Sequence, residues 1–379
     1  MADNKDKKVL NVPALRFPEF TEEWKNTTLK NECSINPTSD KLKDEFVYVD
    51  LESVEKGELT KKQVIEKENA PSRAQRVLRN GDVLFQCVRP YQKNNYLVKN
   101  VSSEVQWVAS TGYAQLRTGR NNPAFIYHLL NTSSFNKKVI VRCTGSSYPA
   151  INSDDLSKIH FYICGDIEEQ KRIADFLTLL DERIATQNKI IEKLGTLIKG
   201  IRDYVLNNKL QNTTKKKLGE LCTITTGKLD ANAMKSEGLY PFFTCAEDVY
   251  RIDSFAFDTE ALLVSGNGAN LGYIHYYKGK FNAYQRTYVL SNFIEDIHYI
   301  QIYLEAYLHK RIALEKSTSN TPYIVLATLA EMPIIIPNIK IQKDISNKIL
   351  ILKSKLITEI HIRNCYKDMR QFLLSQMFI

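Results

Sequence analysis

Hydrophobic and polar positions alternate with two different periods along the 379-residue chain. Over residues 25–165, short apolar or alternating runs are separated by glycine, asparagine, proline and serine clusters, the signature of β-strands joined by turns. Strands are predicted at Phe46–Val49, Val83–Val88, Tyr96–Val101, Tyr113–Leu116 and Ile159–Ile163, with one helical patch at Ala124–Val141. Over 211–337 the pattern returns, with strands expected at Leu262–Val264, Gly272–Tyr277, Thr287–Leu290 and Pro333–Ile336 and a helical patch at Ile297–Leu314. Each stretch ends in a strand leading directly into a longer helical period.

The first long helix should begin at Asp166, because Asp166 and Glu169 have the spacing of a capping box, in which the glutamate reaches back to the cap. Apolar residues then recur at alternating steps of four and three: Ile173, Leu177, Leu180, Ile184, polar Gln187, Ile191, Leu194, Ile198, Ile201 and Val205. A mean step of 3.5 describes a coiled-coil seam. Asn338 opens a second such helix, continued by Ile345, Ile349, Leu352, Leu356, Leu373 and Met377; Glu359, Arg363 and Arg370 fall on its seam, so the stripe is expected to drift toward Ile360, Ile362 and Met369. A helix from Ile173 to Val205 spans on the order of 50 Å at ~1.5 Å per residue, too long for one small domain to bury. The two helices are expected to pair antiparallel, with 207–217 returning the chain; separate packing of each on its own domain is the alternative.

These parallels are signs of a repeat. Leu29-Lys30-Asn31-Glu32-Cys33 resembles Leu218-Gly219-Glu220-Leu221-Cys222, and Val83-Leu84-Phe85 resembles Leu262-Leu263-Val264. Phe135–Val139 matches Leu308–Ile312, Tyr148–Ile151 matches Thr321–Ile324, and Gln170–Ile173 matches Gln342–Ile345. The offset falls from 189 to 172 and never rises, as expected of two copies of one fold in which the second has shorter loops.

Several of these segments resemble the specificity subunits of type I restriction-modification systems. Pro13-Ala14-Leu15-Arg16-Phe17-Pro18-Glu19-Phe20 with Glu23-Trp24 is similar to that family's opening segment. Gly145-Ser146-Ser147-Tyr148-Pro149-Ala150-Ile151 with Leu156, and Asp166–Ala174, are similar to its junction between a target-recognition domain and a central helix. In the second copy Ile341 replaces the glutamate before Gln342, and Thr321 replaces Tyr148. The expected fold class is α+β: two similar mixed α/β target-recognition domains separated by two long antiparallel helices, with a pseudo-twofold internal repeat. The boundaries follow as an opening segment (1–24), a first recognition domain (25–165), a first long helix (166–210), a second recognition domain (211–337) and a second long helix (338–379).

The resemblance implies a non-catalytic subunit whose domains each read one half of a bipartite site in double-stranded DNA. It also implies two methyltransferase subunits docked on the helices and restriction subunits completing the nuclease. S-adenosylmethionine, ATP and Mg would then belong to those partners, with no cofactor in this chain.

Composition is consistent with that reading. The formal charge of +9 and pI near 9.0 favour a polyanionic partner. No apolar run is long enough to cross a bilayer, so a cytoplasmic protein with no membrane partner is expected. Seven scattered cysteines without a C-x-x-C pair predict reduced, mostly buried thiols, not a zinc cluster. A methyltransferase glycine-rich loop, an Asn-Pro-Pro-Tyr-like motif, a phosphate-binding G-x-x-x-x-G-K-[ST] loop and metal-spaced histidines are missing from the sequence. Gly266-Asn267-Gly268 with Gly272 has the wrong spacing for a dinucleotide fingerprint and is read as a tight loop. The competing readings are an enzyme with unrecognised catalytic motifs, either a nuclease or a methyltransferase, and a coiled-coil scaffold.

Base edges are read by paired donors and acceptors, while lysines and hydroxyls hold phosphates. Arg89, Tyr91, Gln92, Lys93, Asn94 and Tyr96 offer that mixture directly after a strand, and Arg142, Ser146, Ser147 and Tyr148 form a second candidate loop. The counterparts by position are Asn267, Asn270 and Tyr273, then Ser319, Asn320 and Tyr323, with Gln285 and Arg286 nearby. Lys137, Lys138, Lys310 and Arg311 lie on matched helical patches and suit phosphates. Because the loops differ between copies, an asymmetric two-part site is expected, with half-site centres roughly 10 bp apart.

Overall fold

A computed structural model describes residues 10–101, 104–145, 147–207, 213–314 and 323–379, with side chains 205–207 excepted. The chain divides into two compact units, the first comprising residues up to Asn188 together with His361–Ile379, the second Lys189–Ile360.

The first unit contains β1 (Lys25–Thr28), α1 (Leu29–Glu32), β2 (Ser34–Ile35), β3 (Glu45–Val49), β4 (Val54–Glu55), β5 (Glu58–Leu59), β6 (Gln63–Glu66), β7 (Ala74–Val77), β8 (Val83–Gln86), β9 (Tyr96–Leu97), β10 (Gln106–Ser110) and β11 (Tyr113–Arg117). Helices α2 (Pro123–Leu130), α3 (Ser133–Val141) and α4 (Ser153–Ser157) precede β12 (His160–Ile163) and the long helix α5 (Ile167–Asn207). The sheet β2-β11-β8-β9 separates two cores. Strand side chains alternate faces, so Val83 and Phe85 join Phe125, Phe135 and Phe161 on the helical side, while Leu84 and Tyr113 meet Val47, Val49 and Trp107 of the second sheet, β6-β3-β10-β7. The helical patch expected at Ala124–Val141 is two helices, because Asn131 ends the first and the Thr132 hydroxyl caps the second by accepting from Phe135 N at 3.2 Å. The strand expected at Tyr96–Val101 stops at Leu97.

The second unit contains β13 (Thr214–Lys217), α6 (Leu218–Leu221), β14 (Thr223–Thr226), β15 (Tyr240–Phe243), β16 (Tyr250–Ile252), β17 (Phe257–Ser265), β18 (Ile274–Ala283) and β19 (Thr287–Ser291). The unbroken helix α7 (Ile297–Leu314), α8 (Leu326–Ala330), β20 (Pro333–Ile336) and the long helix α9 (Ile339–Gln376) follow. One sheet, β14-β19-β17-β18-β15-β16, replaces the two of the first unit. Its central strand repeats the same division: Leu262 and Val264 face the helices, Ala261 and Leu263 the opposite core with Phe243, Phe281 and Val289.

The repeat is legible in the backbone pairing. An antiparallel ribbon opens and closes each copy, β1 with β12 and β13 with β20, placing Lys25 opposite Ile163 and Thr214 opposite Ile336. Beyond each ribbon a fully buried glutamine fastens the long helix to its domain. Gln170 donates to Asn121 Oδ1 and Cys164 O, both at 3.0 Å, and accepts from Asn122 N at 2.9 Å. Gln342 donates to Glu295 Oε2 and Pro337 O, both at 2.8 Å, and accepts from Asp296 N at 3.0 Å.

Asp166 caps α5 as the sequence predicts, accepting from Glu168 N at 2.8 Å and Glu169 N at 3.4 Å. Glu169 does not complete the expected box. Its buried carboxylate takes a two-pronged bond from Arg16 at 2.7 and 2.8 Å and a third from Trp24 Nε1 at 3.3 Å, anchoring the opening segment. At α9 the matching cap is Asn338, whose side chain accepts from Ile341 N at 3.0 Å.

The seam positions turn inward as expected. In the first unit Ile173, Leu177 and Leu180 of α5 share a core with Leu373 and Leu374 of α9 and with Met377 and Phe378 just beyond its end; in the second, Ile198 and Ile201 pack on the core that holds Ile345 and Ile349. The start of each long helix thus meets the end of the other, which is antiparallel pairing. Drift of the second stripe does not extend to Met369, which is half exposed. Arg370 stays on the seam because Asp181 of α5 supplies an ion-pair partner there.

Candidate nucleic-acid interface

In the first unit the loop after β8 is held rigidly by its own polar residues. Arg89 and Lys93 both adopt left-handed backbone conformations, φ 53° and 55°, on either side of a turn at Pro90–Gln92. Such conformations cost roughly 1–3 kcal/mol each in a non-glycine residue and persist where surrounding bonds impose them. Those bonds come from Gln86, which the sequence reading passed over, and from Asn95 within the loop itself. Buried Gln86 donates to Gln92 Oε1 at 2.8 Å and accepts from Asn94 N at 3.0 Å, while buried Asn95 accepts from Gln86 N at 2.9 Å and donates to Asn131 Oδ1 at 3.2 Å.

One antiparallel bridge ties this loop to the second candidate loop. Val88 pairs with Ala150, Arg89 N donates to Pro149 O at 2.8 Å, and Thr144 pairs with Ala150 to close the turn. The Arg89 guanidinium then lies 4.5 Å over the ring of Tyr148, which is exposed. A stacked guanidinium keeps its donor edges free in a fixed plane, the arrangement that bidentate contact to a base requires.

The remaining candidates take different places. Tyr91 and Ser147 are exposed, as is Gln92 although its Oε1 is held by Gln86, whereas half-buried Lys93 and Asn94 line the inner side of the loop, with Lys93 Nζ 3.4 Å from Asn131 O and Asn94 Oδ1 accepting from Lys56 N at 3.0 Å. Tyr96 is half-buried on β9 against the inter-sheet core. Arg142 donates to Lys138 O at 3.0 Å and Lys138 to His160 O at 3.0 Å, so these two brace the end of α3, while Lys137 is exposed. Ser146 lies outside the described residues.

The sequence reading also missed Arg76 on β7. Its Nε is buried without a hydrogen-bond partner, and burial lowers its pKa, with the nearby Cys87 thiol opposing that shift. That thiol is itself pushed up to about 11 by burial. All seven cysteines are free and four are buried, as their scattered spacing predicts.

The second unit builds the corresponding place with different material. Asn267 pairs with Tyr323, the positional counterpart of the bridge from Val88 to Ala150. Ile324 N donates to Gly266 O at 2.8 Å and Gly266 N to Arg286 O at 2.9 Å. A Cβ at Gly266 would stand 2.3 Å from that Arg286 carbonyl, so only glycine admits the crossing. Asn270 donates to Cys245 O at 3.2 Å, and exposed Tyr273 sets its ring edge-on to His275 at 4.8 Å. Gln285, Arg286 and Tyr323 are exposed beside this crossing. Lys310 is exposed on α7 near the Tyr307 ring, Arg311 is half-buried, and Ser319 and Asn320 lie outside the described residues. Each unit therefore carries a pair of crossed loops at the end of its central strand, with like backbones and unlike side chains. Among the described residues, no helix is long and apolar enough to cross a membrane.

Comparison with known proteins gives this duplicated α+β design a family. The model described as "Type I restriction modification DNA specificity domain" matches residues 22–196 and again 211–363, so the chain belongs to that family and carries two copies of its domain. Among curated relatives, the EcoDI specificity subunit of Escherichia coli is 43% identical over 132 residues, covering 35% of this chain and 29% of the relative. The HindI specificity subunit of Haemophilus influenzae is 24% identical over 168 residues, covering 43% of this chain and 33% of the relative. The matched stretches thus span about a third of each relative's length. Among solved structures, the type I restriction-modification S subunit from M. genitalium superposes with a TM-score of 0.70 at 16% identity over 97% of this chain and 99% of that one. A second, from work on complex assembly and conformational transition of the type I system, gives 0.54 at 23% identity over 93% and 97%. At these identities the likeness establishes the fold.

Proposed function

We propose that this chain is the DNA-sequence-recognition subunit of a type I restriction-modification complex, reading an asymmetric two-part site without carrying out chemistry itself. The observation that carries the reading is the equivalent crossed-loop pair in each unit, joined through Val88 to Ala150 in one and Asn267 to Tyr323 in the other, with different exposed side chains on each. Equal frames with unequal probes read two unlike half-sites, whereas identical probes would read a palindrome. The net charge of +9 supplies the sequence-independent part of the attraction.

The long helices act in this reading as spacer and docking surface. Phe176, Leu179 and Phe372 in the first unit, and Leu197, Ile351 and Ile357 in the second, expose apolar side chains on these helices, which suits two methyltransferase subunits. Restriction subunits would complete the complex, and S-adenosylmethionine, ATP and Mg would be bound by the partners. The test is a selection from random duplexes using the chain co-expressed with its methyltransferase. Two short specified blocks separated by unspecified base pairs are expected; a single continuous block, or a palindrome, refutes the reading.

A further inference from the structure

Within the first unit lies a cavity of about 600 Å³, bounded by the turn of the β4-β5 hairpin, the inner side of the loop after β8, α2, and the facing turns of α5 and α9. Five cations line it: Lys56, Lys93, Arg363, Lys367 and Arg370. Of its three carboxylates, Asp181 is held by Arg370 and Glu55 by Lys56 at 3.3 Å, leaving Glu58 to face the rest. Arg363, Lys367 and Arg370 follow one another along a single helix face, the stretch where the apolar stripe of α9 lapses. The lapse coincides with a polar cavity in place of an apolar seam.

The cations are close enough to oppose one another. Lys367 is lowered by burial and by Arg363 and Lys56, and Lys93 by burial and by Arg370. The hairpin wall is set firmly: Gly57 sits at φ +85° where a Cβ would stand 2.2 Å from Tyr127 Oη.

We propose that this cavity binds a phosphate-bearing anion through Lys93, Arg363 and Lys367, with Arg370 held in place by Asp181. Its volume falls in the range of small-molecule sites and admits a pyrophosphate or nucleotide as well as a single phosphate group. The anion would neutralise like charges gathered on one volume and link the reading loop to α9. The inference goes beyond the proposed DNA reading, and its first arm uses no DNA.

Calorimetric titration of the purified full chain with pyrophosphate is expected to show saturable binding at one site, weakened at least tenfold in the Arg363→Gln/Lys367→Gln double variant and retained in Arg363→Lys/Lys367→Arg. A circular-dichroism melt checks that each variant folds, and the charge-retaining pair supplies the comparison if the glutamine pair does not. A second arm measures DNA affinity against salt. Should pyrophosphate not bind while the glutamine pair lowers the salt slope by about one or two, the phosphate belongs to the DNA backbone. Pyrophosphate binding unchanged by the glutamine pair, or no pyrophosphate binding with an unchanged salt slope, overturns the proposal.

Discussion

The two units share what fastens a domain to a long helix and differ in what they present at the far end of the central strand. Gln170 and Gln342 make three equivalent bonds each, and the ribbons beside them pair in equivalent registers. The second layer, by contrast, is a separate four-stranded sheet in the first unit and an extension of the same sheet in the second. A buried polar network tolerates little change, since an orphaned group costs its full desolvation, whereas exposed loops and outer strands vary at small cost. Divergence has accordingly collected in the loops and the outer layer.

The largest expected effect separates the units most sharply. Removal of residues 361–379 deletes Leu373, Leu374, Met377 and Phe378 from the first core, each worth about 1.5–3 kcal/mol of burial. Together they rival the whole margin of a typical domain. Hydrogen exchange should therefore show the first unit losing protection and the second retaining it.

Replacing either glutamine tests the equivalence directly. Gln170→Ala and Gln342→Ala should each cost about 2–4 kcal/mol in urea unfolding. A large cost at one and none at the other would break the comparison.

A pH dependence should belong to the first unit alone. His128, with Nε2 3.1 Å from Thr178 Oγ1, is lowered to about 3 by burial and then by Arg370 and Lys99; Asp181, 4.0 Å from Nδ1, is committed to Arg370. The unfolded chain takes up a proton near pH 6.5 that the folded unit refuses. The first unit should thus lose about 1.4 kcal/mol per pH unit as pH falls from about 6.5 toward 3, and His128→Gln should flatten that slope.

Smaller effects follow at the surface. Arg89→Ala or Tyr148→Ala should relax one half-site by about 1–3 kcal/mol and leave the other unchanged, with Arg286→Ala doing the reverse, as read by selection from random duplexes. Thr132→Ala, which removes the cap between α2 and α3, should cost about 1 kcal/mol in thermal unfolding.

Much of the frame was legible in sequence because periodicity reports burial. The bounds of α7 and β20, and the cap at Asp166, follow from local pattern alone. Strands such as β6 and β7 were not visible: Gln63–Glu66 and Ala74–Val77 are short, polar and partly exposed, and become strands by pairing with β3 and β10. The partner of Glu169 was equally hidden, since Arg16 lies 153 residues away and a capping pattern does not reveal a competing cation. Arg370 looked like a defect in a stripe read one helix at a time; only the facing Asp181 explains it. In the candidate site the loops were chosen by composition, which carries no information on which side chains point outward. Lys93 and Asn94 have the same chemistry as Arg89 and Tyr91, and their inward direction is set by Gln86, Asn95 and two left-handed residues.

That the end of α9 and the residues just after it complete the first core has a consequence for synthesis. On the ribosome, Trp24 and Phe125 emerge hundreds of residues before Phe378, whose ring lies 6.1 and 5.2 Å from theirs. The nascent first half must wait with an unfinished apolar cleft while the second half is translated. Until then the apolar surface around Trp24 and Phe125 stays open, the kind of exposure that makes an incompletely folded chain prone to aggregate.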